Sequence, residues 1–598
     1  MIEQTRFSRH YLLLCSLLIF TVCFIPRVIL AWMAVTVRTP GDEFATIFFS
    51  GFLAGKNWQG LMAHARYYGF GMNLFTWWIF KLPVTPIIQY RMLLSFCGVL
   101  QSLTGVVCFH ILKECNLNLS MKFKMAISVL CSFMVVTRNT VYYNENALIL
   151  ITWLCVWMIF KLLMYENYPA QKKKYTLGIS MLLSFSLVFH ERSLTYILAF
   201  FVLLILYFIF YKKILVNIKI FLPVCFIGVA IARVCVSVYQ STFWSGAESI
   251  KNASIPSVSS YQFTLQQITT SIGIFFGQLG TASIISGGIF FFGSGIIFII
   301  AIKHLSKSFR LQDEQKALFM MGFFALTCTI ATVFYQSLSW GRGANNAIYY
   351  DGNVYSLKAF TYVRYFGPYI GVVFLIGLLF FLKYFNATMT KVFLAIYIVA
   401  LLLWVEYLIP IIARSHACSE AFICFIQAQA KATGTAQYYA GVIFAVNVLL
   451  LITILIRYVK NRASILIILG IFLVYQYVYN AYFYDITQEK NNIASVDASY
   501  QLIKELEASG IDLGPKLYVE DERETNHPIY FIFQLYLPDY VICPDYPEVS
   551  DENIFMITNN LTKTTSNMDI EGLAEFYLDN KEILLTNNAE VISYMNER

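Results

Sequence analysis

Charge is scarce in this chain: only 13% of its 598 residues are Asp, Glu, Lys or Arg, about half the share usual in soluble proteins. Acidic residues are scarcer still over positions 1–484, which hold 13 against 36 Lys and Arg, whereas positions 485–598 hold 22 against 7. A disulfide framework is missing too, because most of the 13 cysteines fall inside apolar runs, where Cys is a small buried hydrophobe. Cys418 and Cys424 share one loop and could pair if it is exported. Positions 485–598 contain neither a glycine-rich phosphate loop nor metal-ligand spacing. These absences exclude a soluble enzyme and a nuclear, nucleic-acid-binding protein.

What is abundant is apolar: 58% of the residues are hydrophobic. Runs of about 20 such residues, each able to cross about 30 Å of hydrocarbon as a helix, recur from Tyr11 to Tyr484 and exclude a β-barrel. Hydropathy predicts a polytopic α-helical membrane protein with about thirteen transmembrane helices, over 11–37, 87–112, 123–137, 146–163, 176–189, 194–211, 216–239, 284–302, 317–338, 364–383, 391–413, 439–457 and 463–484. The stretch 264–283 adds a candidate interfacial helix. With the N-terminus cytoplasmic, alternate short loops collect 21 of the 36 basic residues, which is the positive-inside pattern.

An odd number of spans then places the acidic tail outside. Two domains follow: a transmembrane domain, 1–484, with an outer loop at 38–86, and a small extracytoplasmic domain, 485–598. In the latter, helix character at 498–509 is followed by strands at 516–520, 540–543, 554–558 and 582–586, with 528–537 a helix or a strand. Alternating signals of this kind predict an α/β fold. The setting expected is a bacterial plasma membrane, with the lipid bilayer as the first partner.

Acidic residues near outer helix ends stand out because charge beside a bilayer is costly. Pro40-Gly41 turns the chain after the first span, and Asp42 can cap the helix that the pattern Phe44 to Ala54 suggests. Phe44, Ile47, Phe48, Phe49 and Phe52 would lay that helix in the membrane surface. Two short outer turns carry Arg138 to Glu145 and His190-Glu191-Arg192, and the loop 339–364 supplies Arg342, Asp351, Lys358 and Arg364 among tyrosines. Cations beside aromatics suit a phosphate and a sugar face, and they equally suit anionic lipid headgroups. Arg27, Arg91 and Arg233 near outer span ends either join such a cavity or snorkel.

Asp42-Glu43 just after the first span, Ala45, Gly55-Lys56-Asn57-Trp58, Tyr67-Tyr68 and Leu74-Phe75-Thr76-Trp77-Trp78 together resemble the opening of the GT-C superfamily of polyprenyl-phosphate-dependent membrane glycosyltransferases. The closest likeness is to its protein O-mannosyltransferase and lipid A aminoarabinose transferase branch. The resemblance implies a GT-C-like fold and a catalytic carboxylate at Asp42, less surely Glu43, with a second acidic position at Glu145. Where the aminoarabinose enzymes carry a Lys-Pro-Pro element this chain has Gly69-Phe70-Gly71-Met72, so the cation for a lipid phosphate falls to Arg66, Arg192, Lys358 or Arg364, with Arg138 and His190 also in substrate-binding range. Some members of the superfamily hold a divalent cation, but no outer-loop cluster here has ligand spacing.

The expectation is therefore a glycosyltransferase that moves a sugar, with inversion, from a polyprenyl-phosphate donor to a glycan, lipid or protein acceptor at the outer face. Two other readings remain: a polysaccharide polymerase or ligase, and a non-enzymatic lipid-linked saccharide transporter or flippase.

Overall fold

The computed structural model describes residues 2–243 except 66, 116 and 118; 264–305; 311 and 313–384 except 351; scattered positions between 392 and 411; 462–520 except 495; 529–544, 546–547, 553–559, 573–578 and 582–598. Eight described helices are long and apolar enough to cross a membrane: Arg9–Trp32, Pro86–Glu114, Glu145–Met164, Glu191–Tyr211, Ile218–Phe243, Leu265–Ile285, Glu314–Tyr349 and Ala463–Tyr482. Ile289–Leu305 and Gly367–Leu382 are shorter and also apolar. The chain is an integral membrane protein. Of the expected spans, 439–457 and about half of 391–413 lie outside the described residues, as do Cys418 and Cys424.

Two spans differ from expectation. The helix of the third expected span, Met121–Phe133, has 13 residues, about 20 Å at 1.5 Å per residue, and does not reach 137. The irregular chain that follows, Val136 to Asn144, is almost wholly buried, which is the one setting in which non-helical backbone is tolerated at membrane depth. The second difference concerns 264–305. Helices Leu265–Ile285 and Ile289–Leu305 both run antiparallel to the 37-residue helix Asp313–Tyr349. Thr270 donates to Asn345 near one end, and Gly322 sits against Ile297 near the other. The two are thus segments of one path, broken at Gly287 and Gly288, which have φ of 61° and 82°. At about 55 Å the long helix exceeds the hydrocarbon thickness, so Leu265–Ile285 belongs largely to its projecting end.

The C-terminal region is the expected α/β unit, with a sheet ordered β2-β1-β3-β5-β4. Strands β1 (Lys516–Val519), β2 (Val541–Cys543) and β3 (Phe555–Thr558) pair in parallel, and β5 (Ile583–Thr586) joins antiparallel to β3 and to β4 (Ala574–Tyr577). The stretch 528–537 resolves as helix Tyr530–Tyr536. This unit packs on the 38–86 loop. Phe531 packs tilted against Phe44, ring centres 5.0 Å apart, Trp58 Nε1 donates to the Pro538 carbonyl at 3.3 Å, and Asn492 donates to the Val37 and Arg38 carbonyls. Phe44, Ile47 and Phe48 are accordingly buried by protein and do not lie on a membrane surface.

Candidate functional site

Asp42 and Glu43 are neighbours with opposite surroundings. The helix that carries them, Pro40–Leu53, starts at proline, with Thr39 as N-cap and no side-chain bond from that cap. Asp42 does not cap it. Glu43 does, reaching back so that Oε1 accepts the backbone N–H groups of Arg38 (2.8 Å) and Thr39 (2.9 Å). Its Oε2 accepts from Tyr90 Oη at 2.6 Å and from the Tyr142 N–H at 2.8 Å. Glu43 is fully buried, and burial pushes its carboxyl above the ordinary range while the bonds from Thr39, Tyr142, Tyr90 and Arg38 pull it back. These donors come from three pieces of chain, so Glu43 ties the 38–86 loop to helix Pro86–Glu114 and to the 138–145 turn. That location leaves it no face toward a ligand.

With the cap supplied by Glu43, Asp42 is left for other work. Its side chain is 29% exposed. Oδ1 accepts from Tyr68 Oη at 2.7 Å and Oδ2 from Arg364 Nη1 at 3.1 Å. Arg364 lies just before helix Gly367–Tyr384, is buried, and its guanidinium stacks 3.6 Å from the Tyr143 ring centre. Its Nε donates to Glu145 Oε1 at 3.0 Å. Glu145 opens helix Glu145–Met164, where the positive helix end offsets part of its charge. Arg192 Nη1 stands 3.6 Å from the same Glu145 oxygen, and its guanidinium stacks on Tyr365. Asp42, Arg364, Glu145 and Arg192 therefore form one continuous row of alternating charge, drawn from four separate segments.

The row is incompletely satisfied. Arg364 Nη2, Arg192 Nη1, Glu145 Oε2 and His190 Nε2 are buried and have no hydrogen-bond partner among the described residues. Orphan buried groups are costly, and four among residues this close in the fold call for an explanation.

Gly69 and Gly71 press the 38–86 loop onto the end of helix Pro169–Phe189. Gly69 has φ of 97°, and a Cβ there would meet the Phe189 carbonyl oxygen at 2.3 Å. Phe70 and Gly71 both donate to the Val188 carbonyl, at 3.1 and 3.0 Å. The Gly69-Phe70-Gly71-Met72 departure is thus a weld that brings the His190-Glu191-Arg192 turn to Tyr68, whose ring lies 6.0 Å from that of His190. Tyr68 is a site residue that the sequence pattern displayed without disclosing its bond to Asp42.

Arg66 and Asp351 lie outside the described residues. Lys358 is half-buried in the 3-10 segment Val354–Thr361. Arg138 is buried beside Phe133, Ile285, Gln476 and Tyr477, around a cleft with space for about one water, and none of the charged row lines it. Arg91 donates to the Ala34 carbonyl at 2.9 Å, and Arg233 pairs loosely with Glu191 at 3.9 Å. No group of three or more His, Cys, Asp or Glu side chains among the described residues could hold a metal ion.

Among solved structures the chain is similar to ArnT from Cupriavidus metallidurans, in a crystal structure bound to undecaprenyl phosphate. The match covers 98% of each chain at 10% identity, with a TM-score of 0.49. No protein-family model matches the sequence, and no curated protein matches it either.

Proposed function

We propose that this protein is an inverting glycosyltransferase that transfers a sugar from a polyprenyl-phosphate donor to a hydroxyl acceptor at the outer face of the membrane. The observation that carries the reading is the row Asp42–Arg364–Glu145–Arg192, a carboxylate with partial solvent access beside two guanidiniums with N–H groups to spare. A carboxylate suits the acceptor O–H, because it takes the proton as the oxygen attacks the anomeric carbon. The bond from that carbon to the phosphate oxygen breaks at the same time, and the electron pair leaves with the polyprenyl phosphate. Guanidinium N–H groups are matched in geometry and charge to the phosphate oxygens on which negative charge grows. Attack opposite the leaving group inverts the anomeric centre.

Placement supports the lipid-borne donor. Glu145, Arg192 and Arg364 each stand at the mouth of an apolar helix, where the phosphate of a membrane-embedded isoprenoid would lie. Glu145 and Arg192 hold the reacting groups in place, and the outer face is the side reached if the N-terminus is cytoplasmic. A transporter would use charges strung through the membrane depth. Arg27, the buried arginine of the first span, is instead tied off by backbone carbonyls.

The test is release of polyprenyl phosphate by the full chain in proteoliposomes, supplied with a panel of polyprenyl-phosphate monosaccharides and simple glycan or lipid acceptors. The reading expects release with at least one donor and its loss in Asp42→Asn. Translocation of the donor without cleavage in the same vesicles would overturn it in favour of transport.

A further inference from the structure

His190 closes helix Pro169–Phe189 and opens the 3-10 turn Glu191–Ser193, where it is the N-cap. Its Nδ1 accepts the backbone N–H of Arg192 at 3.2 Å. An amide N–H can only donate, so Nδ1 must present its lone pair and the ring proton must sit on Nε2. The ring is buried, and burial, then the charges of Arg192 and Arg364, hold its pKa well below the ordinary value. Neither nitrogen is then free to accept a proton from a ligand. What the ring offers is one N–H, at Nε2, which is buried and has no partner among the described residues.

That N–H lies within the electrostatic reach of both arginines of the charged row and beside the Tyr68 that bonds Asp42. Arg364 Nη2 and Arg192 Nη1 likewise have no hydrogen-bond partner among the described residues, Arg192 Nη1 standing 3.6 Å from Glu145 Oε1. We propose that His190 is a neutral hydrogen-bond donor to a phosphate oxygen of the polyprenyl-phosphate donor, completing with Arg192 and Arg364 a three-sided anion site, and that it is no general base. The proposal rests on the phosphate-bearing donor put forward above. A neutral third donor adds directional binding without adding a third positive charge, which two carboxylates could not offset.

Two substitutions split the ring's two jobs. Gln places an amide N–H near the position of Nε2 but is a poor cap, whereas Asn keeps a cap acceptor in the place of Nδ1 and removes the distal donor. The measurement is the affinity of the purified full chain in nanodiscs for farnesyl phosphate, with farnesol as the phosphate-free control. His190→Gln should bind within about threefold of wild type, and His190→Asn about tenfold or more weakly, as for one lost hydrogen bond to a charged group. Full affinity in Asn with loss in Gln would make His190 a cap alone and overturn the proposal. Equal affinity or equal weakening of the two variants would overturn it as well. Failure of the wild-type protein to prefer farnesyl phosphate over farnesol would strike the phosphate reading itself, and that result is visible before any variant is made.

Discussion

Arg27 and Arg364 are both buried arginines near helix ends, and they differ in how their donors are used. Arg27 gives Nε to Gln101 Oε1 (2.9 Å), Nη1 to the Cys23 carbonyl (2.7 Å) and Nη2 to the Ser132 carbonyl (2.6 Å), with Phe133 and Tyr477 against its faces. Tyr477 and Asn139 close the same network on Gln101 and on the Arg27 carbonyl. No carboxylate pairs with it among the described residues. Arg364 has two carboxylates, Asp42 and Glu145, and still leaves Nη2 without a partner. Arg27 is saturated by fixed acceptors, whereas Arg364 keeps a donor in reserve, as the proposed phosphate contact requires. The comparison can be broken by substitution.

The largest effect is expected at Asp42→Asn, a loss of about 10²–10⁴ in turnover if Asp42 is the base. Folding should be unaffected, since Glu43 makes the loop's bonds. Turnover per molecule in proteoliposomes decides it, and near-normal turnover in a well-expressed variant would remove Asp42 from the chemistry. Next is Arg364. Both Arg364→Ala and Arg364→Lys should raise donor KM and lower kcat, together by about 10- to 100-fold in kcat/KM, because a Lys point charge cannot reach Asp42, Glu145 and a phosphate at once. A Lys variant that behaves as wild type would make Arg364 an anchor, and the contrast with Arg27 would collapse.

Arg27→Met should act the other way. It strands the Ser132 carbonyl, at about 1–3 kcal/mol for a buried acceptor left unpaired, while Gln101 keeps its bond from Tyr477 Oη and Cys23 its place in the helix. Thermal melting should fall while turnover per folded molecule stays within about twofold. A loss of turnover with unchanged melting would place Arg27 in the substrate path.

Sequence reading reached the site more readily than the roles within it. Asp42 is visible because Pro40-Gly41 turns the chain right after a span, and Arg364 because it precedes one. Arg27 looks the same by position, and what separates it from Arg364 is Ser132, 105 residues away, and Tyr477 beyond. Asp42 and Glu43 cannot be told apart from composition either, since the answer depends on Tyr90, Tyr142 and Tyr68 being folded against them. In the C-terminal unit the apolar strands are legible. Edge strand β4 is short and alternating and passes unnoticed, while helix Ala589–Glu597 could have been found from Asn588, whose side chain caps it. The break at Gly287-Gly288 hides that 265–285 and 289–305 share one path.

The smallest effect is expected at Glu43→Gln, and it tests the division between the two adjacent carboxylates. Gln keeps the shape and one carbonyl oxygen, so the Arg38 and Thr39 N–H groups can still be met. The amide nitrogen then faces Tyr90 Oη and the Tyr142 N–H. The hydroxyl can turn and become an acceptor, but the backbone N–H cannot, so one buried donor is left opposed to another. The cost is about 1–2 kcal/mol of stability, read as a modest fall in melting temperature. Turnover per folded molecule should stay within about threefold of wild type, in contrast with Asp42→Asn. If Glu43→Gln instead loses turnover as deeply as Asp42→Asn at unchanged stability, the buried carboxylate takes part in the chemistry and the roles assigned to the pair must be exchanged.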